Sequence, residues 1–184
     1  TTITKHYIPM SACLLEECTS KNTPFFTLEG RVFRAKAVDV YDGDTATFVL
    51  ELHGSFYAYK MRLSGIDTPE IRVSKQSPTR VEEKRAAIYT RNRLLQFMCD
   101  QDIDLNTAYT RGQVRALLAK NRKLVWLKCG KAGKFGRTLV HVFLAEEDVG
   151  AKERCLNKRL VREGLAYPYH GGKKNNDFRS YFRI

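Results

Sequence analysis

The chain has 184 residues, with 32 Lys+Arg against 20 Asp+Glu and a formal net charge of +12. Hydrophobic residues make up 43% and charged ones 28%, which excludes a wholly disordered chain. No run reaches the roughly 18 apolar residues of a membrane span, and five scattered cysteines, an odd number, do not read as a disulfide framework.

Residues 1–30 read as an N-terminal extension, with a short helix over Ser11–Cys18 and a loop at Lys21–Pro24. From Arg31 the pattern turns to strands. Arg31–Tyr41 is rich in Val, Ala and Phe and runs into Asp42-Gly43, a strong two-residue hairpin signal. Asp44–Leu52 then alternates, with Ala46, Phe48, Leu50 and Leu52 sharing one face. His53-Gly54 turns the chain again, and Phe56–Ile66 forms a third strand.

Ser77-Pro78-Thr79 opens a helix, in which Thr79 and Glu82 fit a capping box and Ala87, Ile88, Leu94, Leu95 and Met98 form one stripe. Gly112–Asn121 reads as a second helix with Val114, Leu117 and Leu118 inward. Lys123–Cys129 and Thr138–Leu144 are strands around the glycine- and lysine-rich loop Gly130–Gly136. Ala151–Glu163 is a helix stopped by Gly164. Five short strands with a helix between the third and fourth give an α+β expectation: an OB-fold, a five-stranded Greek-key β-barrel with about three helices.

The positive charge is concentrated. Between Asp104 and Glu146 there is no acidic residue, while Arg111, Arg115, Lys120, Arg122, Lys123, Lys128, Lys131, Lys134 and Arg137 all fall there. Such a surface suits a polyanion, whose phosphates shed counterions on contact. A solvated idle face is the bland alternative.

Three clusters carry chemistry. Asp44 shares strand parity with Ala46, Phe48 and Leu50, which points a carboxylate at the apolar side, where it is costly unless paired or metal-bound; taken alone, Asp42-Gly43-Asp44 reads more simply as a hairpin turn with polar shoulders. Arg62-Leu63-Ser64-Gly65-Ile66-Asp67-Thr68-Pro69-Glu70 sets an arginine and two acids around a strand end, and Pro69 holds Thr68 extended. Two aspartates, a backbone carbonyl and waters make an all-oxygen shell for a hard cation; a structural Arg–carboxylate pair is the alternative. Gly133-Lys134-Phe135-Gly136-Arg137 ends a glycine-flanked loop in an arginine, so Arg62 and Arg137 together can grip one phosphate. Cys13, Cys18 and His6 lack a second ligand pair, and no zinc is expected.

The order Asp-Gly-Asp-Thr, then Arg-Leu-x-x-x-Asp-Thr-Pro-Glu, then a loop ending Gly-Arg, resembles the staphylococcal (micrococcal) nuclease family, as does Asn157–Ala166. The likeness runs from about Val32 to Tyr169, so residues 31–184 are taken as one such domain with an insertion around 100–122. The resemblance implies an OB-fold enzyme, a Ca²⁺-dependent endonuclease that hydrolyses phosphodiester bonds of DNA and/or RNA with little sequence preference. By position, Asp44 and Asp67 match carboxylate metal ligands and Thr68 a backbone-carbonyl ligand. Glu70 matches the general base, and Arg62 and Arg137 match the catalytic arginines. Lys134 and Phe135 match nucleic-acid contacts. Ca²⁺ is the expected cofactor, with Mg²⁺ or Mn²⁺ compatible with the same oxygens. A monomer acting on nucleic acid is expected, with no membrane span; the rival reading is a non-catalytic OB-fold module that binds nucleic acid or protein.

Overall fold

The computed structural model describes residues 15–133, 136–175 and 177–183. The expected helix over Ser11–Cys18 lies largely outside these residues, as do His6 and Cys13. Strands β1 (Val32–Val40), β2 (Thr45–Leu52) and β3 (Ser55–Leu63) form an antiparallel meander. The short strand β4 (Ile66–Asp67) follows, and then β5 (Val125–Ala132) and β6 (Thr138–Phe143). β6 pairs parallel with β3 and antiparallel with β5, and β5 returns to β1, closing a five-stranded mixed barrel in the order β1-β2-β3-β6-β5. Among the described residues, three helices, α1 (Arg80–Met98), α2 (Arg111–Lys120) and α3 (Leu156–Arg162), pack with the barrel in the α+β OB-fold. None is long and apolar enough to cross a membrane, among the described residues.

The barrel follows from period-2 burial. Ala46, Phe48 and Leu50 of β2 point inward with Ala35 and Ala37 of β1, Met61 and Leu63 of β3, Val125 and Leu127 of β5 and Val140 and Val142 of β6. α1 caps this core with Leu94, Leu95 and Met98, whereas Ile88 is only half-buried. Each fully buried Leu or Phe contributes about 1.5–3 kcal/mol. Leu28, from the segment expected to be an extension, is also buried in the core, and Gly30 N–H donates to the Cys129 carbonyl at 2.9 Å.

The local signals were partly reassigned. The tight hairpin is at His53-Gly54: both residues have positive φ (51° and 73°), and Leu52 pairs directly with Ser55. Asp42-Gly43 lies in a longer connection, Tyr41–Asp44, and Gly43 has no positive φ. A Cβ there would come within 2.4 Å of the Thr90 methyl on α1, so close packing demands that glycine.

The third strand does not continue to Ile66. Gly65, at φ 74°, turns the chain out of the barrel, and β4 pairs instead with β7 (Tyr167–Pro168). Thr79 makes no capping bond: its hydroxyl donates to Glu83, as the Ser77 hydroxyl does at 2.7 Å, and Glu82 is held by Arg179 Nε at 3.1 Å. The reciprocal box forms at α2, between Thr110 and Gln113. The last helix is shorter than expected, since Cys155 is extended and Lys152–Arg154 is a 3₁₀ turn. It does end at Gly164 (φ 71°), where Gly164 N–H meets the Val161 carbonyl and Leu165 N–H the Leu160 carbonyl, a Schellman closure.

α2 occupies the segment 100–122. Val114 and Leu118 bury against the barrel, and Arg111 and Arg115 both bind Asp39 of β1. Those two cations are each paired with Asp39, although both remain more than half exposed.

Candidate active site

The β2–β3 register opposes Thr45 to Arg62, and Leu63 N–H donates to the Asp44 carbonyl at 2.7 Å, which fixes Asp44 and Arg62 side by side. Asp44 is 2% exposed. Its Oδ1 accepts from Thr45 Oγ1 at 2.8 Å and from Arg62 Nη1 at 3.0 Å. Asp42, also buried, accepts the Asp44 N–H at 3.2 Å, so the turn bonds its own backbone and draws a second carboxylate inward.

The Gly65 turn carries Asp67 to the same guanidinium, whose Nη2 donates to it and also meets Asp44. Asp67 Oδ2 accepts from Tyr167 Oη at 2.8 Å, its register partner on β7. Lys174, from the chain beyond β7, brings its ammonium to 3.1 Å from Asp67 and 2.6 Å from Glu70. Thr68 is buried behind Gly43. Glu70 is about half exposed, at 53% of its side chain.

A cavity of about 680 Å³ opens here, lined among others by Arg62, Glu70, Arg137, Lys60, His170 and Lys174. Arg137 reaches it from the β5–β6 loop, which closes by a 2.7 Å bond from Gly133 N–H to the Arg137 carbonyl, with Gly136 at φ 70°. Arg62, Glu70 and Arg137 therefore share one wall space, with Asp44 and Asp67 bonded to the first of them. Lys134 and Phe135 lie outside the described residues.

The electrostatics are unbalanced. Asp42, Asp44 and Asp67 are all buried; Asp44 and Asp67 share the part-buried Arg62 guanidinium, and Asp67 also meets Lys174. Burial pushes the Asp44 carboxyl well above its ordinary value, and Asp42 and Asp67 add to this beyond what Arg62 restores. Burial likewise raises Asp42. For Arg62, burial pulls downward but Asp44 and Asp67 outweigh it. Tyr167 is pushed up to about 12 by burial and by its hydrogen bond to Asp67.

Among the described residues, no three His, Cys, Asp or Glu side chains converge as a metal-ligand group; Arg62 bridges the aspartates instead. The donor chemistry nonetheless fits a hard dication. The donors are oxygens only, and three buried acids face one arginine and the part-exposed Lys174, an excess of acid that a divalent ion offsets.

Sequence reasoning missed Asp42 as a buried member, and Tyr167 and Lys174 as partners of Asp67. Parity hid the first in a turn. The other two reach the site through pairing of β4 with β7, which no local pattern announces.

A family model for staphylococcal nuclease homologues matches residues 60–183, about two thirds of the chain. The match includes Arg62, Asp67, Thr68, Glu70 and Arg137, and begins after Asp44. No curated protein matches the chain.

Proposed function

The chain belongs to the staphylococcal nuclease homologue family, and from that premise we propose that it is a metal-dependent endonuclease, acting as a monomer on phosphodiester bonds of DNA and/or RNA. The observation that carries this reading is the meeting of Arg62, Glu70 and Arg137 around one cavity beside two buried aspartates.

Asp44 and Asp67 through their carboxylates, and Thr68 through its backbone carbonyl, would hold the ion, Ca²⁺ or else Mg²⁺ or Mn²⁺. When bound, the ion supplies Lewis-acid polarisation of a phosphoryl oxygen. Glu70 takes the proton of the attacking water, its exposure keeping it within reach of solvent and of substrate. Arg62 and Arg137 grip the phosphate and stabilise the extra charge of the transition state. Lys134 contacts a neighbouring phosphate and Phe135 stacks on a base, roles assigned from the sequence alone. Because the grip is on phosphate and not on base edges, sequence preference is weak.

A plasmid-cleavage assay across Ca²⁺, Mg²⁺ and Mn²⁺, run with Glu70→Gln and Arg137→Ala, tests the reading. Each variant is expected to lose about 10²–10³ in rate. Wild-type cleavage in excess chelator, or full activity in both variants, would overturn it.

A further inference from the structure

A second hollow of about 340 Å³ adjoins the catalytic cavity, and the two share Ser64, Gly65, Ile66 and His170 as a common wall. Its other side is lined by His141, Lys152 and Lys158. We propose that this hollow is a second phosphate subsite, holding a phosphate of the same nucleic-acid strand next to the one gripped by Arg62 and Arg137. The proposal deepens the phosphodiesterase reading and rests on it.

The groups arrive from separate elements, which makes the cluster a product of the fold. His141 projects outward from β6 between the buried Val140 and Val142, opposite Lys128 of β5. Lys152 comes from the 3₁₀ turn and Lys158 from α3. His170 lies across the β3–β4 turn, so near that a Cβ on Gly65 would stand 3.5 Å from its Cε1.

The floor is braced by Asn157, whose side chain is fully used. It donates to the Ser64 and Val140 carbonyls, both at 2.9 Å, and accepts from Val142 N–H at 3.1 Å. A floor pinned to the β3–β4 turn, β6 and α3 at once holds its donors without a separate ordering cost on binding.

The charge selects the ligand class. Lys152 and Lys158 in the lining outnumber its one acid, and burial and the facing Lys152, Lys128 and Lys158 hold His141 below its ordinary value. The acid at its rim, Glu153, is mostly exposed and meets Lys158 only at 3.7 Å. Lysine and imidazole donors around a small anion, continuous with a pocket built for phosphate, suit the next phosphate of a strand.

Two sources share that chemistry: an internal phosphodiester and a terminal phosphomonoester. The test follows the ring resonances of His141 and His170 by NMR without divalent cation, adding inorganic phosphate to wild type and to the Lys152→Ala/Lys158→Ala double variant. Binding of a short single strand with a 5′-phosphate or a 5′-hydroxyl is then measured against salt. Phosphate is expected to move the His141 resonance in wild type and not in the variant, and the salt slope to fall by about 1 per lysine removed. An equal loss for both strands assigns an internal diester, and a loss confined to the 5′-phosphorylated strand assigns a terminal group. A His141 resonance unmoved by phosphate, or moved equally in the variant, overturns the subsite. Cleavage by the wild type separates the two readings. A chain that cuts without the phosphate response loses only the subsite, whereas one with the response that cuts with none of the three metals loses only the nuclease assignment.

Discussion

Asp39 and Asp44 flank the same β1–β2 connection, and both are nearly closed to water. Asp39 meets two guanidiniums of α2, Arg111 Nε at 2.8 Å and Arg115 Nη2 at 2.9 Å, each arginine more than half exposed. Asp44 has the reverse surroundings, with Asp42 and Asp67 beside it and, for the three, one arginine and the part-exposed Lys174 that reaches only Asp67. The first cluster is an acid satisfied by its own fold, with cations whose remaining charge is solvated. The second is a set of acids the fold leaves short of cation. A buried surplus of one sign is unfavourable for folding alone, so its retention points to a ligand that arrives later.

The largest expected effect tests that contrast from the acidic side. Asp44→Asn should lower cleavage on the order of 10²–10³-fold, comparable to the loss of one preorganised transition-state contact. Its melting temperature, taken in chelator, should be unchanged or higher, because one member of a crowded set of acids has been neutralised. A large drop in melting temperature would make the acidic cluster structural and erase the comparison.

Asp39→Asn should do the converse. Removing a buried acid bonded to two arginines should cost about 1–3 kcal/mol in a urea titration, with cleavage left at the wild-type level. The cost is moderated by the exposure of Arg111 and Arg115, which water can resolvate, and by Asp39 Oδ1, which has no partner among the described residues. Lost cleavage without lost stability would place α2 in the site.

The two clusters also differ in how far the sequence discloses them. The motif from Arg62 to Glu70 spans nine residues, and one turn at Gly65 suffices to swing Asp67 onto Arg62, so its convergence is nearly local. Asp44 is disclosed by strand parity alone. Asp39 has no such mark, because its partners lie on a helix more than seventy residues away and a register shift between Ala37 and Asp39 disturbs the alternation that would have exposed it. Gly43 illustrates the same limit: Asp-Gly advertises a hairpin, but the helix packed above it decides why glycine stands there. Thr-x-x-Glu at Thr79 and Thr-x-x-Gln at Thr110 are equal as local signals, but in the first the Thr79 hydroxyl turns to Glu83 and a tertiary partner, Arg179, takes Glu82. Local chemistry proposes, and distant contacts choose.

Lys174 offers a way to sharpen the comparison, since it brings a mobile type of cation to the acidic cluster from the far end of the chain. Its ammonium, bonded to Asp67 and Glu70, is held above its ordinary proton affinity: burial opposes this, and the bond to Glu70 and the charge of Asp67 prevail. Lys174→Ala should therefore tighten Ca²⁺ binding, by up to about fivefold for a part-exposed ion pair, as read by calorimetry. Weaker binding would mean that Lys174 helps to shape the ion site and does not compete for it.

The smallest expected effect comes from a third cluster that resembles the Asp39 group in charge but not in burial. Glu163 accepts from Arg93 Nε at 2.8 Å and from Arg159 Nε at 3.0 Å, and both guanidiniums lie 4.3 Å from the Phe97 ring centroid, tying α1 to α3. Burial alone would raise the Glu163 carboxyl, but the hydrogen bonds from Arg93 and Arg159 and their charges hold it below its ordinary 4.5. A depressed folded value means that the stabilisation is complete above the unfolded value and is lost as pH falls through the folded one. Solvent screening of a part-exposed pair limits it to about 1 kcal/mol. Urea titrations of wild type and Glu163→Gln should therefore differ at pH 7 and converge below pH 4.5. Curves that stay parallel into acid would show that Phe97 packing, and not the carboxylate, joins the two helices, and that two arginines around one acid stabilise this fold only where the acid is buried as deeply as Asp39.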